Sequence, residues 1–213
     1  MCYNQCMITV KNLTIQYIKE YATIFDLNFC IDSNTLFISN HDEITALFRT
    51  MTNIEKRYLG SIEIDNQDIK TIKDKDLSIA YVCNTPYLFK FKSIKENLIY
   101  PLKIRKYQKH EINEKYQNIL NKYLIDFTKN IRKLTLSQQK IITLLRAIIW
   151  NPKYIILEHF FDDLDEKYYN LAQNILKDIS KNTIIIASEN QENDTFFGFK
   201  QVVLENGSIK NGT

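Results

Sequence analysis

The stretch 134–165, LTLSQQKIITLLRAIIWNPKYIILEHFFDDLD, joins a polar turn, a helix and a buried strand in one continuous pattern. Leu144, Leu145, Ile148 and Ile149 recur at helical spacing after the polar Ser137, Gln138 and Gln139. Asn151 and Pro152 then stop the helix, because proline lacks an amide donor and restricts the residue before it. Tyr154, Ile155, Ile156 and Leu157 are a short run of β-formers bounded by turn signals and followed by acids, the pattern of a central parallel strand. In open α/β sheets such strands end at the crevice where ligands bind.

Similar units flank this stretch. Residues 8–17 and 24–31 alternate apolar and polar side chains, as antiparallel strands with one buried face do. Residues 36–38 and 77–83 read as buried strands, the first leading through residues 39–45 into a helix that carries Ala46, Leu47, Phe48 and Met51. Thr45 reads as the start of that helix. Residues 107–123 form a polar, lysine-rich helix with Ile112, Tyr116, Ile119, Leu120 and Tyr123 as its inward stripe, and Ser93 with Glu96 reads as a capping box. Residues 166–180 are an amphipathic helix and 183–188 a buried strand, and Asn206-Gly207 marks a hairpin between strands 201–205 and 208–210.

With 213 residues, 45% of them hydrophobic and 25% charged, the chain suits one globular α/β domain. A net charge of +3 with no basic arm argues against a nucleic-acid partner. No run approaches the roughly 18 apolar residues of a membrane span, so any membrane link is expected through a partner. Cys2, Cys6, Cys30 and Cys83 contain no C-x-x-C pair and read as reduced cytosolic thiols. The chain has only four glycines, Gly60, Gly198, Gly207 and Gly212, and none lies where a phosphate-cradling loop would need one.

The order of these segments resembles the nucleotide-binding subunit of ABC transporters, over nearly the whole chain and in one register. Leu134, Thr135, Leu136, Ser137 and Gln138 fall on the family's LSGGQ signature, Arg146-Ala147 on the helix end, Asn151-Pro152 on its NP and Leu164-Asp165 on its closing pair. Thr45-Ala46-Leu47-Phe48-Arg49 fits the tail of the P-loop, residues 93–98 resemble its TVRENI, and residues 202–209 its VVLDKGRI. The resemblance implies an ABC-type P-loop NTPase-like fold with a mostly parallel core sheet, an antiparallel β subdomain and an inserted helical subdomain. It implies a single domain over 1–213, with its core in 1–86 and 141–213 and the helical insertion at about 87–140.

The resemblance also assigns the site, and the chemistry at each position is altered. Ile38, His41 and Glu43 replace the loop glycines and Ile44 replaces the lysine, so a P-loop's amide cradle and point charge are both missing while Asp42 and Glu43 add negative charge. Loss of two or so charge-assisted hydrogen bonds costs on the order of 3–6 kcal/mol, roughly 10²–10⁴ in affinity. Ile44, Thr45 and Ala46 are what remains of the nucleotide loop. Tyr17 stands where an aromatic residue stacks on adenine, and reads equally as an ordinary strand tyrosine. Asn84 stands for the glutamine that senses Mg²⁺ and the attacking water, Glu158 for the Walker B aspartate, His159 for the catalytic glutamate and Glu189 for the switch histidine. Thr45 and Glu158 are the two residues left to coordinate Mg²⁺. In the signature, Thr135, Ser137 and Gln138 remain, with Leu136 and Ser137 in place of glycines.

His41, His110 and His159 form no metal spacing, and Asp162, Asp163 and Asp165 read as acids at a helix start, Asp165 also matching the family's dimer-contact loop. The resemblance therefore implies a cytoplasmic subunit, peripheral on the membrane through a permease. It would pair with a second ABC ATPase subunit, itself or a homologue. Its role is expected to be structural or regulatory, with ATP and Mg²⁺ bound at low affinity at most and hydrolysis weak or absent. Two alternatives are a free-standing interaction or sensor protein on the same fold, and a working ATPase with an atypical loop.

Overall fold

The computed structural model describes residues 7–16, 24–39, 41–123 and 131–210. Tyr17, Asn40, Cys2 and Cys6 lie outside them. The chain begins with β1 (Ile8–Ile15), β2 (Ile24–Ile31) and β3 (Thr35–Ile38), followed by α1 (His41–Met51), β4 (Leu59–Ile64), β5 (Gln67–Asp68) and β6 (Ile79–Val82). Three helices follow, α2 (Ile94–Ile104), α3 (Lys109–Tyr123) and α4 (Leu136–Ile148). The remainder is β7 (Tyr154–Glu158), α5 (Glu166–Ile179), β8 (Ile184–Glu189), β9 (Lys200–Glu205) and β10 (Ser208–Lys210).

The strands form two sheets. One is antiparallel, in the order β2-β1-β4-β5; the other runs β10-β9-β3-β8-β7-β6, parallel except for its edge strand β10. This is the mixed α/β architecture that the sequence implies. All five residues of β7 are buried, and its side chains alternate between two cores. Tyr154 and Ile156 join the β1 and α1 side with Ile8, Phe37 and Phe48, whereas Ile155 and Leu157 join the side of α2 and α4 with Leu98 and Leu145. A continuous apolar run is what a strand covered on both faces requires.

Local chemistry sets most boundaries. Ser93 and Glu96 form the expected capping box, and Thr135 with Gln138 forms a second one at the start of α4. That second box moves the helix start forward: Ser137, Gln138 and Gln139, read from sequence as a polar turn, lie in the first turn of α4. Asn206 and Gly207 both take positive φ, the backbone of the tight hairpin that their sequence predicts. Gly60 is required twice over, with φ of +88° and a position where a Cβ would lie 2.4 Å from the carbonyl oxygens of Lys11 and Asn12. The expectation of reduced thiols is corrected at one position: Cys30 is disulfide-bonded, while Cys83 is free.

Candidate functional site

Parallel pairing brings the carboxyl ends of four strands side by side, with Ile38 opposite Glu189, Glu158 opposite Ser188 and Val82 opposite Leu157. Ser39, His159 and Asn84 lie just beyond these ends, the side of an open α/β sheet on which ligands bind. Of the residues singled out in the sequence, Asn84, Glu158, His159 and Glu189 lie at or just past these strand ends, while Thr135, Ser137 and Gln138 lie at the start of α4.

Helix α1 leaves almost no loop after β3. It begins at His41, so the expectation that Thr45 opens the helix is corrected by a full turn. Two features of the sequence cause this. Asp42 and Glu43 occupy the first turn, where the helix dipole favours acids, and Ile44 is fully buried in the core with Phe37 and Phe48, which holds the register from inside. Glu43 is buried too, its Oε1 accepting a hydrogen bond from the Gly207 amide at 3.0 Å. Ile44, which the sequence register sets at the lysine position of a P-loop, thus points into the apolar core, and Asp42 and Glu43 fill the first turn of the helix.

Glu158, at the end of β7, accepts hydrogen bonds from the hydroxyls of Thr45 on Oε1 and Tyr81 on Oε2. Thr45 and Glu158, the two residues expected to coordinate Mg²⁺, are therefore in direct contact. Burial, then the Glu158 charge, drives the Tyr81 phenol far above its ordinary pKa, so it donates as a neutral group.

The next residue, His159, is fully buried with φ of +41°, and its amide donates to Ser188 Oγ at 3.2 Å. Its Nδ1 lies 3.9 Å from Asp162 Oδ2. Glu189 completes a group of three whose ligating atoms all lie within 4.8 Å of one another. Burial first, then the Asp162 charge, pushes the Glu189 carboxyl up to about 8. The sequence spacing of His41, His110 and His159 gave no sign of this grouping, which forms because the ends of β7 and β8 and the turn after β7 lie together. Asp165 alone caps α5, accepting from the Tyr168 amide at 3.1 Å.

Lys140 was not visible as a site residue. Its position in α4 is buried among Ile141, Leu144 and other core residues, and its ammonium donates to Asn84 Oδ1 at 2.9 Å, to the Phe160 carbonyl at 3.2 Å and to the Asp162 carbonyl. Burial lowers its pKa. It ties α4 to the end of β6 and to the turn after β7. The one available signal was a lysine inside an otherwise apolar helical stripe, which length and flexibility alone do not explain.

At the start of α4 the Thr135 hydroxyl accepts from the Gln138 amide at 3.3 Å, and Gln138 Oε1 accepts from the Thr135 amide at 3.0 Å. Ser137 Oγ accepts from the Asp165 amide at 3.1 Å. The three signature residues are thus committed within the chain, and Leu136 between them is left exposed. Ala46 is buried on the core side of α1.

The sequence model of the ABC transporter family matches residues 45–160, more than half of the chain and beginning just past the glycine positions. Among curated relatives, the methionine import ATP-binding protein MetN of Clostridioides difficile (strain 630) is 24% identical over 216 residues, covering 95% of this chain and 67% of its own length. The spermidine/putrescine import ATP-binding protein PotA of Marinobacter nauticus is 28% identical over 213 residues, covering 97% of this chain and 57% of its own. The chain thus spans roughly half to two thirds of the length of such relatives. The dimeric ATP-binding cassette MJ0796 in a post-hydrolysis state with ADP and Pi superposes with a TM-score of 0.83 at 18% identity, over 96% of this chain and 97% of that one.

Proposed function

Because the chain belongs to the ABC transporter family and has the fold of its ATP-binding cassettes, we propose that it is a cassette subunit whose role in a transporter complex is structural or regulatory. Tight ATP binding and hydrolysis are absent in this reading. The observation that carries it is the start of α1. The helix begins at His41, directly behind β3, with Ile44 sealed in the core and Glu43 buried at its N-terminal turn. A triphosphate needs free amides and a cation at that place. Two acids and an aliphatic side chain meet it instead, so the residues present do not fit the phosphates.

The partner reading rests on the segment between β6 and α2. Tyr87 and Phe91 are 69% and 93% exposed, and Phe89 is partly so. Aromatic side chains held in water at the edge of a helical insertion suit burial by another protein. We infer that this surface meets a membrane permease and holds the chain at the cytoplasmic face; among the described residues no helix is long and apolar enough to cross a membrane. We infer that a second cassette would dock at the head of α4, where the exposed Leu136 would weaken a nucleotide site shared with it.

A second reading, an ATPase with an atypical loop, draws on the contact between Thr45 and Glu158. Titration of the purified chain with a fluorescent ATP analogue and Mg²⁺ separates the two, alone and with co-purifying partners. No saturable binding below the millimolar range is expected. Micromolar binding by the chain alone would overturn the first reading in favour of the second.

A further inference from the structure

We propose that His159, Asp162 and Glu189 form a binding site for one divalent transition-metal ion, with an imidazole and two carboxylates as its protein ligands. The proposal does not depend on the reading of the nucleotide site.

Three observations converge on it. First, the ligating atoms of the three residues already lie within 4.8 Å of one another. Bonds of about 2.0–2.2 Å around a tetrahedral ion place its ligands roughly 3.3–3.6 Å apart, so a contraction on the order of 1 Å closes the site. Second, Glu189 Oε1 is buried with no hydrogen-bond partner, in a residue only 6% exposed. A buried carboxylate oxygen without a donor is expensive, and a second carboxylate beside it, Asp162, adds repulsion. The neighbouring ammonium of Lys140 offsets part of this charge, but its hydrogen bonds go to Asn84 and to the carbonyls of Phe160 and Asp162, so Glu189 Oε1 is still without a donor. A dication bound by both carboxylates would give that oxygen a partner and remove the repulsion between them. Third, two of the ligands stand on rigid supports: Glu189 ends β8, His159 follows the last residue of β7, and the pairing of Glu158 with Ser188 fixes those strand ends side by side.

The donor set narrows the ion. Imidazole disfavours Mg²⁺ and Ca²⁺, which take oxygen ligands, and nitrogen with two carboxylates suits Zn²⁺, Mn²⁺, Fe²⁺, Co²⁺ or Ni²⁺. Three protein ligands leave one position open to water or to an anion. Asp162, whose side chain is 31% exposed against 0% for His159, gives the site its contact with solvent. A metal held here would clamp β7, β8 and the turn after β7 at the crevice end of the sheet.

The test is calorimetric titration of the metal-free full chain with Zn²⁺ and no nucleotide. The expected result is one ion per chain at micromolar Kd or tighter. Affinity should fall at least tenfold in His159→Gln and in Glu189→Gln, and hold in His110→Gln, which alters a histidine on α3. Binding absent at these concentrations, or equally strong in His159→Gln and Glu189→Gln, overturns the proposal as an adventitious ion only. Should those variants misfold, the wild-type chain loaded with Co²⁺ decides. Visible ligand-field bands of a four- or five-coordinate nitrogen and oxygen site support the proposal. Their absence, or a thiolate-to-cobalt charge-transfer band that assigns the metal to cysteine, refutes it.

Discussion

Replacing Lys140 by methionine keeps most of the side-chain volume and removes the ammonium from the interior. The ammonium serves three acceptors, Asn84 Oδ1 at 2.9 Å, the Phe160 carbonyl at 3.2 Å and the Asp162 carbonyl. Phe160 is buried, so its carbonyl would be stranded, at a cost of about 1–3 kcal/mol. Asn84 and Asp162 are half-exposed and regain water, losing about 0.5–1.5 kcal/mol each. Against this, methionine escapes the desolvation of a buried cation, which in other proteins makes such replacements neutral or even stabilising. Here two of the three acceptors are backbone carbonyls that methionine leaves behind, so the balance is expected at about 2–4 kcal/mol of lost stability. Urea unfolding followed by the single tryptophan measures it. Trp150 lies under the Arg105 guanidinium at 3.6 Å and so reports on the docking of α2 against the end of α4. The midpoint should fall with an unchanged slope. Asn84→Ala alone should cost about 1 kcal/mol, and the double variant scarcely more than Lys140→Met, since both remove one contact. A Lys140→Met protein as stable as the wild type would refute the view that the lysine is kept for its acceptors.

Restoring the family lysine by Ile44→Lys should destabilise the fold by more than about 3 kcal/mol and create no ATP binding, because that position lies in the core beside Phe37 and Phe48. Gain of ATP binding at unchanged melting temperature would mean that α1 shifts its register. Tyr81→Phe should cost about 1–2 kcal/mol by removing a donor to the buried Glu158, and Thr45→Ala a similar amount, with thermal unfolding as the measurement. Alkaline stability gives a pH test. Burial, then the Asp68 charge, raises the Tyr58 phenol from 10.0 to about 12, so the folded chain keeps a proton that the unfolded chain releases. That stability is fully present below about pH 10 and declines toward pH 12, by about 2–3 kcal/mol in all. Tyr58→Phe, which has no such proton, should flatten that part of the decline; an unchanged profile would refute the assignment.

Sequence alone determined what depends on near neighbours and on apolar periodicity. The continuous run at Tyr154 to Leu157 marks a strand covered on both faces, Asn206-Gly207 dictates a hairpin, and Ser93 with Glu96 caps α2 within four residues. The joint spacing of the 134–165 stretch was enough for the family, because such spacing is imposed by the order of strands and helices. Tertiary structure alone decided how distant charges meet. Whether Ile44 enters the core or the crevice depends on where α1 begins, which the acids of its first turn and the packing of Phe37 and Phe48 settle together. Lys140, Asn84 and the carbonyls of Phe160 and Asp162 come from three separate elements, as do Thr45, Tyr81 and Glu158. His159, just past the end of β7, and Glu189, the last residue of β8, meet Asp162 only because those strands are adjacent and parallel in the sheet. Burial and the distance between charges set the energetics of these groups, and both are properties of the packed chain that no local pattern records.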